Sequence, residues 1–184
     1  MRYKFVIVSK DTNTLLTEKD FDSVKNTTDV EFILNNSIPI TKIYNQKLAE
    51  MRKLKTHDYL IFVHSDAHVN IEQMLIHLEQ VHGKYDILGL CGTEYVNISE
   101  SPLNWYTASL KKPDKRWGSV IHGEIGNKQT YFSFDRPDIT DHEVGCIDGV
   151  CIIFSSTALE SNICFDEQFL FDQYDTDLSL QCIL

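Results

Sequence analysis

The chain has 184 residues, 42% of them apolar and 24% charged, a composition that suits a globular domain with one sizeable core. Acidic residues outnumber basic ones 27 to 17, and the formal charge of −10 argues against general nucleic-acid binding, which needs basic patches to displace counterions. No apolar run approaches the length needed to cross a bilayer and the start is too short for a secretory signal, so the expectation is a cytoplasmic protein with no transmembrane segment.

Tyr3 to Val8 reads as a first strand, ending at Ser9-Lys10-Asp11. Leu15 to Val24 has helical spacing, with Phe21 and Val24 on one face. Val30 to Leu34 reads as a second strand that ends in Asn35-Asn36-Ser37. After Pro39, the spacing of Ile43, Tyr44, Leu48, Met51 and Leu54 predicts a helix from Thr41 to Lys55 capped by Thr41. The unbroken apolar run Tyr59-Leu60-Ile61-Phe62-Val63 suits a strand buried on both faces of a parallel sheet. It stops at His64-Ser65-Asp66, where the strand would open into a ligand crevice. Ser65 or Asp66 could equally be a cap for the next helix, Ile71 to Val81, which Gly83 ends. Ile87 to Cys91 reads as a further strand.

This alternation implies right-handed crossovers and a mostly parallel sheet. Neither a P-loop nor a G-x-G-x-x-G follows the first strand, so nucleotide binding would rely on a metal and side chains at strand ends. The middle, Thr93 to Asp141, breaks the pattern. It holds Trp105 and Trp117, either packing residues or a sugar platform, and a β-hairpin turning at Gly126-Asn127 between Ser119-Val120-Ile121 and Thr130-Tyr131-Phe132. Lys111, Lys112, Lys115 and Arg116 read as a solvated loop, with contact to phosphate or acceptor as the alternative.

The last informative stretch holds Ile147-Asp148-Gly149-Val150 before the apolar Cys151-Ile152-Ile153-Phe154, then Phe171-Asp172-Gln173-Tyr174-Asp175-Thr176-Asp177 before an apolar-periodic segment. Asp-Gly is often only a turn. Asp175 and Asp177 stand at an expected helix start, where capping accounts for Asp177 and general-base chemistry is the reading for Asp175. Cys91, Cys146, Cys151, Cys164 and Cys182 form no C-x-x-C pair and read as reduced, mostly buried thiols.

Four motifs, in order, resemble the GT-A domain of family 2 glycosyltransferases, closest to the glycosyltransferase-like domain of streptomycin-biosynthesis-type proteins. They are FILNNS with IYNQKLAE, then IFVHSD, then IDGVCIIF, then FDEQFLFDQYDTDLSLQ. The resemblance implies a single α/β domain over 1–184: a three-layer α/β/α GT-A (nucleotide-diphospho-sugar transferase) fold with a mostly parallel mixed sheet and a β-hairpin insertion. It implies a nucleotide-sugar donor held by Ser9, Asn35, Asn36, His64, Ser65 and Asp148. Asp66 would bind Mn²⁺ or Mg²⁺, and Asp175 would be the base of an inverting transfer to an unknown glycan or small-molecule acceptor. His64 stands where the family has the first aspartate of its metal motif. The chain stops inside the helix after Asp175, where relatives continue, so the expectation is a domain lacking its C-terminal end. The competing expectation is a catalytically silent relative that binds a nucleotide sugar or glycan without transfer.

Overall fold

The computed structural model describes residues 1–11, 17–96, 112–122, 130–136 and 141–183. In chain order the strands are β1 (Tyr3–Val8), β2 (Asp29–Ile33), β3 (Tyr59–His64), β4 (Ile87–Gly89), β5 (Gly92–Thr93), β6 (Arg116–His122), β7 (Thr130–Arg136), β8 (Cys146–Ile147) and β9 (Cys151–Ser155). The helices are α1 (Ile40–Leu54), α2 (Ile71–Gln80), α3 (Ser156–Glu160) and α4 (Tyr174–Ile183).

The main sheet has five strands in the order β2-β1-β3-β9-β4. β1 lies parallel to β2 and β3, and β9 runs antiparallel to both β3 and β4. The fold is therefore α/β with a mixed sheet. Strand parity sorts its side chains. Phe5, Ile7, Ile61, Val63 and Ile153 face α2 through Ile71, Met74, Leu75 and Leu78. Val6, Leu60, Phe62, Ile152 and Phe154 face α1, α3 and α4 through Tyr44, Leu48, Met51, Leu159, Tyr174 and Leu178. The central β3 is buried on both faces, which is why it reads as a continuous apolar run.

A smaller antiparallel sheet, β7-β6-β5-β8, follows from the middle of the chain. The expected hairpin pairs as read, with Ser119 opposite Ser133 and Val120 opposite Phe132, while its turn lies outside the described residues, as do Trp105 and Lys111. Arg116 is buried in β6, and Lys115 pairs with Glu94 at 2.8 Å, so the basic cluster is not simply a solvated loop. Trp117 is a packing residue: it is buried, stacks on His142 and donates from Nε1 to Glu94 at 2.7 Å.

Four local expectations are corrected. The described part of Leu15 to Val24 is a 3-10 turn, Thr17–Phe21. The hydroxyls of Thr27 and Thr28 both donate to the Val24 carbonyl and compete with helical bonding, although Phe21 and Val24 are buried as expected. Thr41 does not cap α1, which starts from the Pro39 carbonyl, and the Thr41 hydroxyl is buried without a partner among the described residues. The α2 cap is Asn70, whose Oδ1 accepts from the Gln73 amide at 3.1 Å, so neither Ser65 nor Asp66 is spent there. The run Ile87 to Cys91 leaves the main sheet at Gly89, and Gly92-Thr93 joins the small one. Among the described residues no helix is long and apolar enough to cross a membrane.

Candidate functional site

β9 runs against β3, so its start lies beside the end of β3, with Cys151 opposite Val63. The Asp148-Gly149-Val150 segment therefore arrives next to His64-Ser65-Asp66, although more than eighty positions separate them. The His64 amide donates to the Val150 carbonyl at 3.0 Å and ties the two together. The other strand ends join the same edge. The Ser9 amide donates to the Ile33 carbonyl and the Asn36 amide to the Ser9 carbonyl, which brings the ends of β1 and β2 together. Asn35 sits at φ 52, and Asn36 Oδ1 accepts from the Ile38 amide at 3.0 Å, so this asparagine side chain shapes the turn into α1. Ser9 is buried, and Ser65 follows His64 half-buried in a turn closed by the Ala67 amide on the His64 carbonyl. Asp66 is exposed in that turn.

The start of α4 completes the edge. Asn45 on α1 clamps the approaching segment, donating to the Phe165 carbonyl at 2.8 Å and accepting from its amide at 2.9 Å. The asparagine of IYNQKLAE thus holds the segment that begins FDEQ, which gives a physical reason for the two motifs to occur together. Asp175 is half-buried in the first turn of α4. Its Oδ2 accepts from the Gly149 amide at 2.9 Å and its Oδ1 from the Thr176 amide at 2.7 Å. Burial pushes the Asp175 carboxyl up from its ordinary value, against the pull of those two amides. Asp177 accepts from Gln181 Nε2 at 2.7 Å one turn later, a bond along the helix rather than a cap. Asp148 Oδ1 accepts from the Val150 amide at 2.7 Å, as a turn aspartate does.

Tyr174 and Gly149 form the part that sequence reasoning passed over. Tyr174 is 3% exposed, and its hydroxyl donates to the Gly149 carbonyl at 3.1 Å while lying 2.7 Å from His64 Nε2. A Cβ on Gly149 would stand 2.2 Å from that hydroxyl, so the glycine makes room for the tyrosine. The signal was present in the Asp-Gly that opens β9, but a turn explains an Asp-Gly equally well. Phe171, half exposed, stacks on the His64 ring at 5.9 Å, with the Lys10 ammonium 5.9 Å from its own ring centre.

His64 is held below the ordinary histidine value by burial, against the fields of Asp66 and Asp175. The tyrosine hydroxyl is pushed up first by burial, then by Tyr44, Asp175, Asp148 and Asp66. Asp66 and Asp175 thus bear on the same pair, half-buried His64 and buried Tyr174. Cys91, Cys146 and Cys151 lie buried beneath, the last two pushed up to about 12 by burial, and are inert thiols; Cys164 and Cys182 are exposed.

The protein is, by fold and site, an α/β domain with an acidic, histidine-bearing cluster where its parallel strands end. Over 97% of its length it is similar to the crystal structure of A197 from STIV, of which it covers 78%, with a TM-score of 0.53 and 17% sequence identity. A likeness at that identity speaks to fold alone. No protein-family profile matches the chain, and no curated protein matches it.

Proposed function

We propose that this sheet edge binds a nucleoside-diphosphate sugar and transfers the sugar, with inversion, to an acceptor hydroxyl, in a domain of the GT-A type. The observation that carries the reading is Asp175: a half-buried carboxylate with a raised pKa, fixed by two backbone amides, sharing one cluster with exposed Asp66. The row from Asn35-Asn36 through Ser9 and His64-Asp66 to Asp148 crosses three inter-strand spacings, about 14 Å, enough for an elongated ligand. Asn35 would hold the nucleoside end on a turn that Asn36 and Ser9 shape through their bonds to Ile38 and Asp11, and Ser65, His64 and Asp148 would hold the diphosphate and sugar.

Among the described residues no three His, Cys, Asp or Glu side chains converge into a ready metal cage. The donor set still fits a shared cation: Asp66 is exposed and its oxygens go to no helix cap. Mg²⁺-like ions are commonly held by one or two carboxylates plus substrate phosphates. A bound Mn²⁺ or Mg²⁺ would neutralise charge on the departing diphosphate.

Asp175 is oriented rather than used up, since a carboxylate offers about four lone-pair positions and the Gly149 amide, the Thr176 amide and the Thr176 hydroxyl take three. It accepts the acceptor's hydroxyl proton as that oxygen bonds to the anomeric carbon. The bond from that carbon to the diphosphate oxygen breaks, and the nucleoside diphosphate leaves with the electron pair. Asp175→Asn keeps the side chain's shape and one of its two amide contacts, on Oδ1, but removes the base. We expect it to abolish transfer and spare donor binding; transfer at the wild-type rate would refute the role. Donor binding without transfer or hydrolysis by the wild-type chain would instead favour the silent-relative reading.

A further inference from the structure

We propose that Tyr174 is a positioning residue that fixes His64 with its proton on Nε2, leaving the Nδ1 lone pair as a nitrogen ligand for the divalent cation at Asp66. The assignment rests on counting protons. The Tyr174 hydroxyl has one hydrogen and two neighbours, the Gly149 carbonyl at 3.1 Å and His64 Nε2 at 2.7 Å. A carbonyl oxygen can only accept, so the hydroxyl proton goes to it. The shorter contact is then a hydrogen bond only if His64 Nε2 carries a proton and donates to the tyrosine oxygen. A neutral imidazole has a single ring proton, so Nδ1 is left with its lone pair.

Among the described residues only Nε2 of the two ring nitrogens is hydrogen-bonded, and Asp66 lies close enough for its charge to act on the ring. Phe171 covers a face of the ring, the Nε2 edge is taken by Tyr174, and Nδ1 has no hydrogen-bond partner among the described residues. The backbone cannot drift, because the His64 amide is bonded to the Val150 carbonyl. Strand parity puts His64 on the same sheet face as Phe62, Tyr44 and Tyr174. Metal-binding histidines commonly use one nitrogen for the ion while the other is held by an outer partner that sets tautomer and orientation. Here that partner is a tyrosine, itself fixed by the close approach that Gly149 permits. A nitrogen ligand also shifts selectivity away from Mg²⁺, which prefers oxygen, towards the first-row transition ions, Mn²⁺ being the weakest of that series.

The proposal rests on the reading of Asp66 as a cation ligand, and the test separates the two. Nitrogen chemical shifts of ¹⁵N-histidine-labelled protein at pH 7.5, without metal, should show His64 protonated on Nε2; protonation on Nδ1 overturns the proposal. Electron spin-echo spectra of Mn²⁺ bound with a nucleoside diphosphate should then show coupling to a histidine nitrogen, lost in His64→Gln. Tyr174→Phe should weaken Mn²⁺ binding by about tenfold and mix the two tautomers. A cation that binds, is lost in Asp66→Ala and shows no nitrogen coupling overturns this proposal alone. No bound cation at all overturns both.

Discussion

Gly149→Ala tests how tightly the cluster is built. Gly149 does not have a positive φ, so alanine suits its backbone and the only obstacle is space. The added Cβ would stand 2.2 Å from the Tyr174 hydroxyl and 2.7 Å from Cζ. Carbon atoms settle about 3.5 Å apart, so Cζ would have to retreat by about 0.8 Å. Tyr174 has little room for that, packed against Tyr44, Phe165 and Phe171 with ring centres 6.2, 5.8 and 6.3 Å away. Overpacking of this kind costs about 1–3 kcal/mol. Losing the bonds to His64 and to the Gly149 carbonyl adds about 1 kcal/mol each, for a total of about 3–5 kcal/mol. In a chain of this length that lowers Tm by roughly 6–20 °C. Urea unfolding of wild type, Gly149→Ala, Tyr174→Phe and the double variant measures it. Because the phenylalanine has already removed the hydroxyl and its bonds, the glycine change should cost at least about 1 kcal/mol less in that background. A Gly149→Ala protein within about 0.5 kcal/mol of wild type would refute the reasoning.

Three further outcomes follow from the same structure. Tyr44 is fully buried and its hydroxyl has no partner among the described residues, so Tyr44→Phe should leave stability unchanged or raise it by about 1 kcal/mol in urea unfolding, and a loss above that size would contradict the assignment. His57 is held below the ordinary histidine value by burial, with Lys4 and Arg2 adding to the effect and outweighing the opposing fields of Asp29, 3.6 Å away, and Asp58. As pH falls through about 6.5 the unfolded chain takes its proton first, so folding stability should drop on acidification and His57→Gln should flatten that drop; an unchanged slope in unfolding experiments would exclude His57 as a cause. Burial raises Asp175 as well, so the acid limb of any pH–rate profile should lie above the ordinary aspartate value, and a limb at or below it would argue against Asp175 as the base.

Much of the fold was legible because periodicity is a local property. The run at β3 and the spacing of α1 and α2 place those elements within a residue or so, and the polar ends of β1, β2 and β3 mark the edge where the candidate residues gather. Sequence order alone could not bring Asp148 to that edge, since this needs β9 to run antiparallel inside an otherwise parallel arrangement. Nor could it give Tyr174 its place, because a tyrosine in a helix's first turn has no pattern that separates a core residue from one bonded to a distant histidine. The cap assignments failed for a related reason: Thr41, Ser65 and Asp66 all suit helix starts, but Pro39 and Asn70 stand where α1 and α2 begin.

The proposed donor site is tested most directly by titrating wild-type and Asp66→Ala protein with nucleoside-diphosphate sugars in the presence of Mn²⁺. The account predicts that at least one donor binds the wild type, raising its stability by about 2.7 kcal/mol, or Tm by roughly 5–10 °C, at a hundred times Kd. Asp66→Ala should bind it at least about tenfold more weakly. Binding of no donor by the wild type, or equal affinity in both proteins, would contradict it.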